Sequence, residues 1–190
     1  KGRIVKHDVQ EYVKASLASS GGAGISVKPA AKIDFNQFGS TETQPLNKIK
    51  RLTAEHVHRS WVTIPHVTHF EEADITELEA FRKAQKSQAE QAGYKLTPLA
   101  FIVKAIEKAL KAYPQFNSSL DERGENLIVK QYYHIGIAVD TPNGLVVPVL
   151  RDIDNKGIGV IAKEMAAIST KAREKGLTPA DMSASCFTIY

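Results

Sequence analysis

The sequence predicts an α/β fold, a two-layer α+β sandwich with a mixed sheet, and three observations carry that expectation. Two apolar, β-branched runs, Ile135 to Val139 and Leu145 to Val149, flank Asp140-Thr-Pro-Asn-Gly144. Proline presets φ and Asn-Gly tolerates positive φ, so the stretch reads as a β-hairpin with a short polar loop. The runs barely alternate, which argues for burial on both faces. Several other segments carry apolar residues at helical spacing between charged ones. These helices and strands mix without regular βαβ alternation, and that favours two layers over a doubly wound sheet.

Taken in order, residues 1 to about 16 hold a small helix. Asp8 with Glu11 three residues on reads as a capping box, and Val9, Tyr12 and Val13 share a face. Residues 17–33 read as linker: Ser19-Ser-Gly-Gly-Ala-Gly24 is flexible by composition and Val27-Lys-Pro-Ala-Ala-Lys32 stiffer. A lone helix this short is marginal in water, so residues 1 to about 33 are expected to be mobile. Residues 34–190 read as one domain. Leu46 to Trp61 forms a first amphipathic helix through Ile49, Leu52 and Val57, ended by Pro65, and His66 to Ile75 is an extended segment. Thr76 with Glu79 reads as a capping box for a helix from Glu77 to Gln91 that Gly93 closes. Thr97-Pro98 opens the next, with Leu99, Ile102, Val103, Ile106 and Leu110 on one stripe and a stop before Pro114. Leu127 to Val129 is a strand leading to the hairpin. Gly157 to Lys175 is a further helix ended by Gly176, and Ser185 to Ile189 is a final strand.

Composition excludes more than it selects. The net charge of +4 hints at nucleic acid, but Lys and Arg alternate with Glu in Glu77–Lys83 and Lys104–Lys108, the pattern of solvated, paired helix faces. No basic-aromatic interleaving appears, so no nucleic-acid partner is expected. No apolar run approaches the ~20 residues that span a bilayer, so no membrane partner is expected either. The single cysteine, Cys186, sits among Phe187 and Ile189 and reads as a core thiol. His56 and His58 point apart on a helix, and His66 and His69 face opposite sides of a strand. With no cysteine cluster and no H-E-x-x-H, no metal is expected. Asn117, Ser118 and Ser119 lack a nearby base and read as turn chemistry that satisfies backbone groups. Arg82 reads by default as the partner of Glu79, and Asp140 as a turn former.

The hairpin, together with His58-Arg-Ser-Trp61, Ile64-Pro-His-Val-Thr68, Asp74-Ile-Thr-Glu-Leu78 with Arg82, Phe116-Asn-Ser-Ser-Leu120 and Cys186-Phe-Thr-Ile189, resembles one family in order and spacing. That family is the dihydrolipoamide acyltransferases, the E2 cores of the 2-oxo acid dehydrogenase complexes, with a fold like the chloramphenicol-acetyltransferase-type coenzyme A-dependent acyltransferases. The wording is closest to the acetyl-carrying, pyruvate dehydrogenase branch in proteobacteria. The resemblance implies transfer of acetyl between S-acetyldihydrolipoamide and coenzyme A, with coenzyme A as substrate and the lipoyl group on a separate domain outside this chain. It implies a trimer or higher core in the cytoplasm of a bacterium. It also implies a remnant, in residues 1–16, of the domain that binds the dehydrogenase components E1 and E3, too short to bind them itself.

The same resemblance assigns site residues. A basic residue at Arg82 would reach the coenzyme A phosphates, and Asp140 and Gly144 would shape the substrate channel. The family's His-Arg-Val-x-Asp-Gly motif does not occur here, and Tyr190 stands where the family has its oxyanion-donating serine. The expectation is a domain incomplete at its C-terminus, inactive alone and prone to associate through uncovered apolar faces. The alternative expectation is a non-catalytic core, assembly or binding module of the same complexes.

Overall fold

A computed structural model describes residues 5–19, 31–174 and 176–190. The chain forms two compact units, residues 1–46 with 55–66, and residues 47–54 with 67–190. Mobility is expected of residues 1 to about 33, and of these residues 1–4 and 20–30 lie outside those described.

In the first unit, helix α1 runs Lys6–Ser19 and passes the expected edge at residue 16. Asp8 caps it by accepting from the backbone N–H of Val5 at 2.8 Å, instead of boxing with Glu11. Helix α2 spans Lys48–Thr63, of which residues 55–63 belong to this unit and 48–54 to the second. None of its residues is buried, so the stripe of Leu52 and Val57 faces outward. His66 stacks on Trp61, with ring centroids 5.4 Å apart.

In the second unit, residues 66–75 join no ladder, so the expected strand is irregular chain. The helix expected over Glu77–Gln91 is two helices, α3 Thr76–Ala84 and α4 Lys86–Gln91, broken at Gln85. Thr76 and Glu79 form no capping box. Asp74 Oδ1 instead accepts from both the backbone N–H and the hydroxyl of Thr76, which lowers the Asp74 pKa. Gly93, at φ +77°, ends α4 in a Schellman turn: Gly93 N–H donates to Glu90 O and Tyr94 N–H to Ala89 O. Helix α5, Pro98–Ala112, starts as expected with Thr97 as N-cap and Pro98 in its first turn.

The strands fall into three small sheets. Strands β1 (Ser118–Leu120) and β2 (Leu127–Val129) pair antiparallel, so Ser118 and Ser119 lie on a strand and not in a turn. Strand β3 (Ile135–Ile137) is the centre of a mixed sheet, antiparallel to β6 (Val149–Leu150) and parallel to β7 (Phe187–Ile189). Between them β4 (Val139–Thr141) and β5 (Gly144–Val146) form the hairpin tip. Burial on both faces holds for β3 and β6; Asp140 and Leu145, opposite each other at the tip, are exposed.

Helix α6, Ile158–Glu174, packs with α5 over this sheet. Ala100 and Val103 of α5 meet Ile161 and Ala162 of α6, with Ile135, Ile137, Leu150 and Ile153 beneath. That is the two-layer arrangement the sequence predicts. Of the expected α5 stripe, Ile102 is exposed, and Glu107 takes a buried position in its place. The turn Pro179–Met182 is fixed by a capping box between Thr178 and Asp181, whose carboxylate also holds Lys171 at 2.7 Å. Lys171 and then Thr178 push the Asp181 pKa far below the usual carboxylate range.

The sheet is tight at Gly136. A Cβ there would come 2.8 Å from Val147 Cγ1 and 3.0 Å from Ser185 Oγ, the hydroxyl that accepts from the Gly136 N–H. Gly136→Ala is expected to destabilise the chain by about 1–3 kcal/mol, with urea unfolding as the check. An unchanged midpoint would show that this strand can move aside.

Candidate functional site

The polar surface best built to hold a ligand lies where α3, α4 and residues 93–96 converge. Arg82, Lys86, Glu90, Tyr94 and Lys95 line a cleft of about 570 Å³ there. The Schellman turn at Gly93 reverses the chain and aims residues 94–96 back along α4. Arg82 is the fixed point of this cleft. Its Nε and Nη2 donate to the two oxygens of Glu79, each at 2.8 Å, and Nη1 donates to Leu96 O at 3.2 Å. Glu79 raises the pKa of Arg82, and the Arg82 hydrogen bond lowers that of Glu79.

A guanidinium has five N–H donors, and these contacts use three. The remaining two leave Arg82 able to grip an anion while Glu79 and Leu96 hold its plane still. The default pairing with Glu79 is thus present, and it is compatible with phosphate binding. Lys86 faces Glu90 at 3.8 Å in an exposed pair worth little. Lys95 makes no ion pair among the described residues.

Asp140 and Gly144 sit elsewhere, on the β4–β5 tip. The turn residues proper are Pro142 and Asn143; Asp140 is a strand residue opposite Leu145, so the turn-forming reading is corrected. Gly144 has φ +126°, and a Cβ there would stand 3.2 Å from Ile49 Cγ2. Asn47 explains that approach: its Oδ1 caps α2 by accepting from Lys50 N–H, while its Nδ2 donates to Asn143 O. Tyr190 follows β7, with its side chain 87% exposed. Neither Asp140, Gly144 nor Tyr190 lines the Arg82 cleft.

Other candidates resolve into structure. Asn117 is buried and donates to Lys130 O and Tyr132 O, the backbone role expected of it. Cys186 is half-buried, not a core thiol, and its Sγ donates to Tyr132 O at 3.3 Å. Ser118 Oγ donates to Gln115 O. Among the described residues no three histidine, cysteine or carboxylate groups gather as metal ligands, and no helix is long and apolar enough to cross a membrane. Two features went unread in the sequence. Lys95 bears no motif, and only its place after the Gly93 turn signals it. Glu107, read as half of a solvated pair, is wholly buried between Lys104 at 3.1 Å and Lys111 at 2.6 Å.

Residues 38–190 match the family described as 2-oxoacid dehydrogenases acyltransferase (catalytic domain). The chain is 48% identical to the dihydrolipoyllysine-residue acetyltransferase component of the pyruvate dehydrogenase complex of Haemophilus influenzae, and 49% identical to that of Pseudomonas aeruginosa. Each alignment covers all of this chain but 36% of the relative, so the chain spans about a third of their length. A solved Azotobacter vinelandii dihydrolipoamide acetyltransferase, studied for the catalytic roles of a serine, a histidine and an asparagine, superposes at a TM-score of 0.83 with 50% identity. That match covers 85% of this chain and 67% of the solved one. A solved cubic core of a pyruvate dehydrogenase multienzyme complex gives the same TM-score at 49% identity, with the same coverage.

Proposed function

This chain belongs to the 2-oxoacid dehydrogenases acyltransferase family, and from that membership we propose that it supplies the coenzyme A-binding part of a bacterial dihydrolipoyllysine-residue acetyltransferase. The reaction is acetyl transfer between S-acetyldihydrolipoamide and coenzyme A in the cytoplasm. In this reading Arg82 takes a phosphate of coenzyme A on its two free N–H groups, Lys86 and Lys95 add charge, and Asp140 and Gly144 shape the path of the substrates. The lipoyl group arrives on another domain, and E1 and E3 dock on the full subunit-binding domain, not on its remnant in residues 1–16.

The observation that carries the proposal is Arg82, cationic and held by Glu79 and Leu96 at the mouth of a cleft. Such a group binds phosphate without first losing side-chain freedom. Titration calorimetry with coenzyme A and with pantetheine, which lacks the nucleotide phosphates, tests it. Coenzyme A is expected to bind and pantetheine to bind at least tenfold more weakly. Arg82→Gln and the more exposed Lys86→Gln should each lose affinity for coenzyme A only. Equal affinity in both folded variants would count against this site.

A second reading, a core or assembly module that associates with copies of itself, is favoured by one observation. Phe35, Phe38, Trp61 and Ile64 of the first unit are large, apolar and exposed. Aromatic surface of this kind marks association sites. Sedimentation at low micromolar concentration is expected to show trimers or larger species, and a sharp monomer boundary would refute it.

A further inference from the structure

A second hollow, of about 500 Å³, lies between strands β3–β4 and helix α6. Its walls are apolar, built from Leu99, Val139, Met165 and Ile168. Two cations, Lys95 and Arg173, stand at its rim, and among the described residues no carboxylate lines it. Neither cation makes an ion pair among the described residues. The hydroxyls of Thr97 and Ser169 are the polar groups on its wall. The volume is that of a small-molecule site, which is typically ~300–1,000 Å³, apolar, with a few convergent polar groups. It differs from the Arg82 cleft in character and shares only Lys95 with it.

We propose that this hollow binds a single-chain carboxylic acid, its hydrocarbon against Leu99, Val139, Met165 and Ile168 and its carboxylate between Lys95 and Arg173. Charge selects the class. An apolar floor alone would take any hydrocarbon, but two cations at the opening, with no carboxylate among the described residues that line it, favour an anionic head. Lys95 and Arg173 can lay their methylene stems over the chain while their charged ends stay wet. The position also links the hollow to the fold. Val139 opens β4, and Met165 and Ile168 belong to the helix layer, so a bound chain would bridge the sheet and helix layers that the core already joins.

Calorimetric titration of decanoate, below its micelle concentration, into the 190-residue chain and into the full-length protein tests the proposal. Saturable one-to-one binding to both is expected. Octanoate, shorter by two methylenes, should bind about tenfold more weakly, since each buried methylene is worth ~0.8 kcal/mol. Lys95→Gln with Arg173→Gln should weaken decanoate about tenfold and leave decanol unchanged. Ala166→Trp, at the exposed mouth, should abolish binding while thermal melting shows an intact fold. Non-saturating uptake, or decanoate binding indifferent to Ala166→Trp, would overturn it. So would binding by the 190-residue chain but not by the full-length protein, because other parts of that protein would then cover the hollow.

Discussion

Acetyl transfer from acetyl-coenzyme A to dihydrolipoamide by the 190-residue chain is expected to fall at least ~10⁴-fold below that of a longer form carrying a His-x-x-x-Asp-Gly motif and Tyr190→Ser. Two missing functions set that figure. A positioned base contributes typically ~10²–10⁴-fold and an oxyanion donor ~10²–10³-fold. Of the six histidines, His134 is the best ordered by its surroundings: it is partly buried and lies against Tyr132, with ring centroids 4.7 Å apart and the planes tilted by 42°. Its Nδ1 accepts from the backbone N–H of Asp152 at 3.1 Å, so that nitrogen is occupied as an acceptor. A catalytic imidazole oriented by a carboxylate has the opposite arrangement, with N–H donating to the acid. Tyr190 is exposed, and among the described residues none hydrogen-bonds its hydroxyl. Steady-state turnover of the two forms is the measurement. Rates within about tenfold, a barrier difference of only ~1.4 kcal/mol, would show that this chain carries a base and donor of its own. His134→Ala should leave the longer form's kcat unchanged.

The largest stability effect is expected at Glu107. Burial opposes ionisation of its carboxylate, yet contacts from Lys111 and Lys104 outweigh it and hold the pKa below its ordinary value. Lys104 Nζ also donates to Ile153 O, and Lys111 lies over the Tyr133 ring, so the three charges tie α5 to the chain on either side of β3 and β6. Replacing both lysines by methionine leaves the Glu107 carboxylate buried alone. That should cost about 3 kcal/mol at pH 7, the low end for an orphaned buried charge, because the site lies near solvent on the Lys111 side. Glu107→Leu, which keeps the lysines free to turn into water, should be close to neutral. The pH dependence separates these cases. A depressed folded-state pKa contributes stability that is full above the unfolded value near 4.5 and is lost as pH falls through the folded value. The wild-type chain should therefore weaken below about pH 4.5. The double methionine variant should show the reverse slope between pH 7 and 4.5, gaining stability as Glu107 takes up a proton. Urea midpoints across that range decide it, and parallel curves for the two proteins would refute the ion-triad reading.

What could be read in the sequence was whatever rests on local chemistry. Pro142-Asn143-Gly144 fixes a turn whatever surrounds it, and Thr97-Pro98 opens a helix by its own geometry, so the hairpin and α5 stand where expected. Gly93 and Gly176 likewise stop helices with positive φ. The misses need partners remote in sequence. Gln85 carries no breaker, yet the chain divides α3 from α4 there. A glutamate three residues from one lysine and four from another reads as solvated on a helix wheel; only packing turns that face of α5 inward. The Arg82 site was named from family resemblance, and its charge on a helix could not reveal that Glu79 and Leu96 leave two donors free. Residues 66–75 have the composition of a strand but no neighbouring edge to pair with among the described residues.

The mixed sheet also sets an order of assembly. Strand β3 meets β6 across a loop of roughly a dozen residues, but reaches β7 only across about fifty. Closing the longer loop costs roughly 1 kcal/mol more in chain entropy. The hairpin therefore belongs to the folding nucleus, and β7 docks after the transition state, into a slot that Ile135 and Ile137 have already lined. During synthesis a ribosome must deliver all of α6 before that slot can be filled. Until then the open flank of β3 is the most association-prone strand of the nascent chain, so speed of elongation between residues 150 and 187 bears directly on yield.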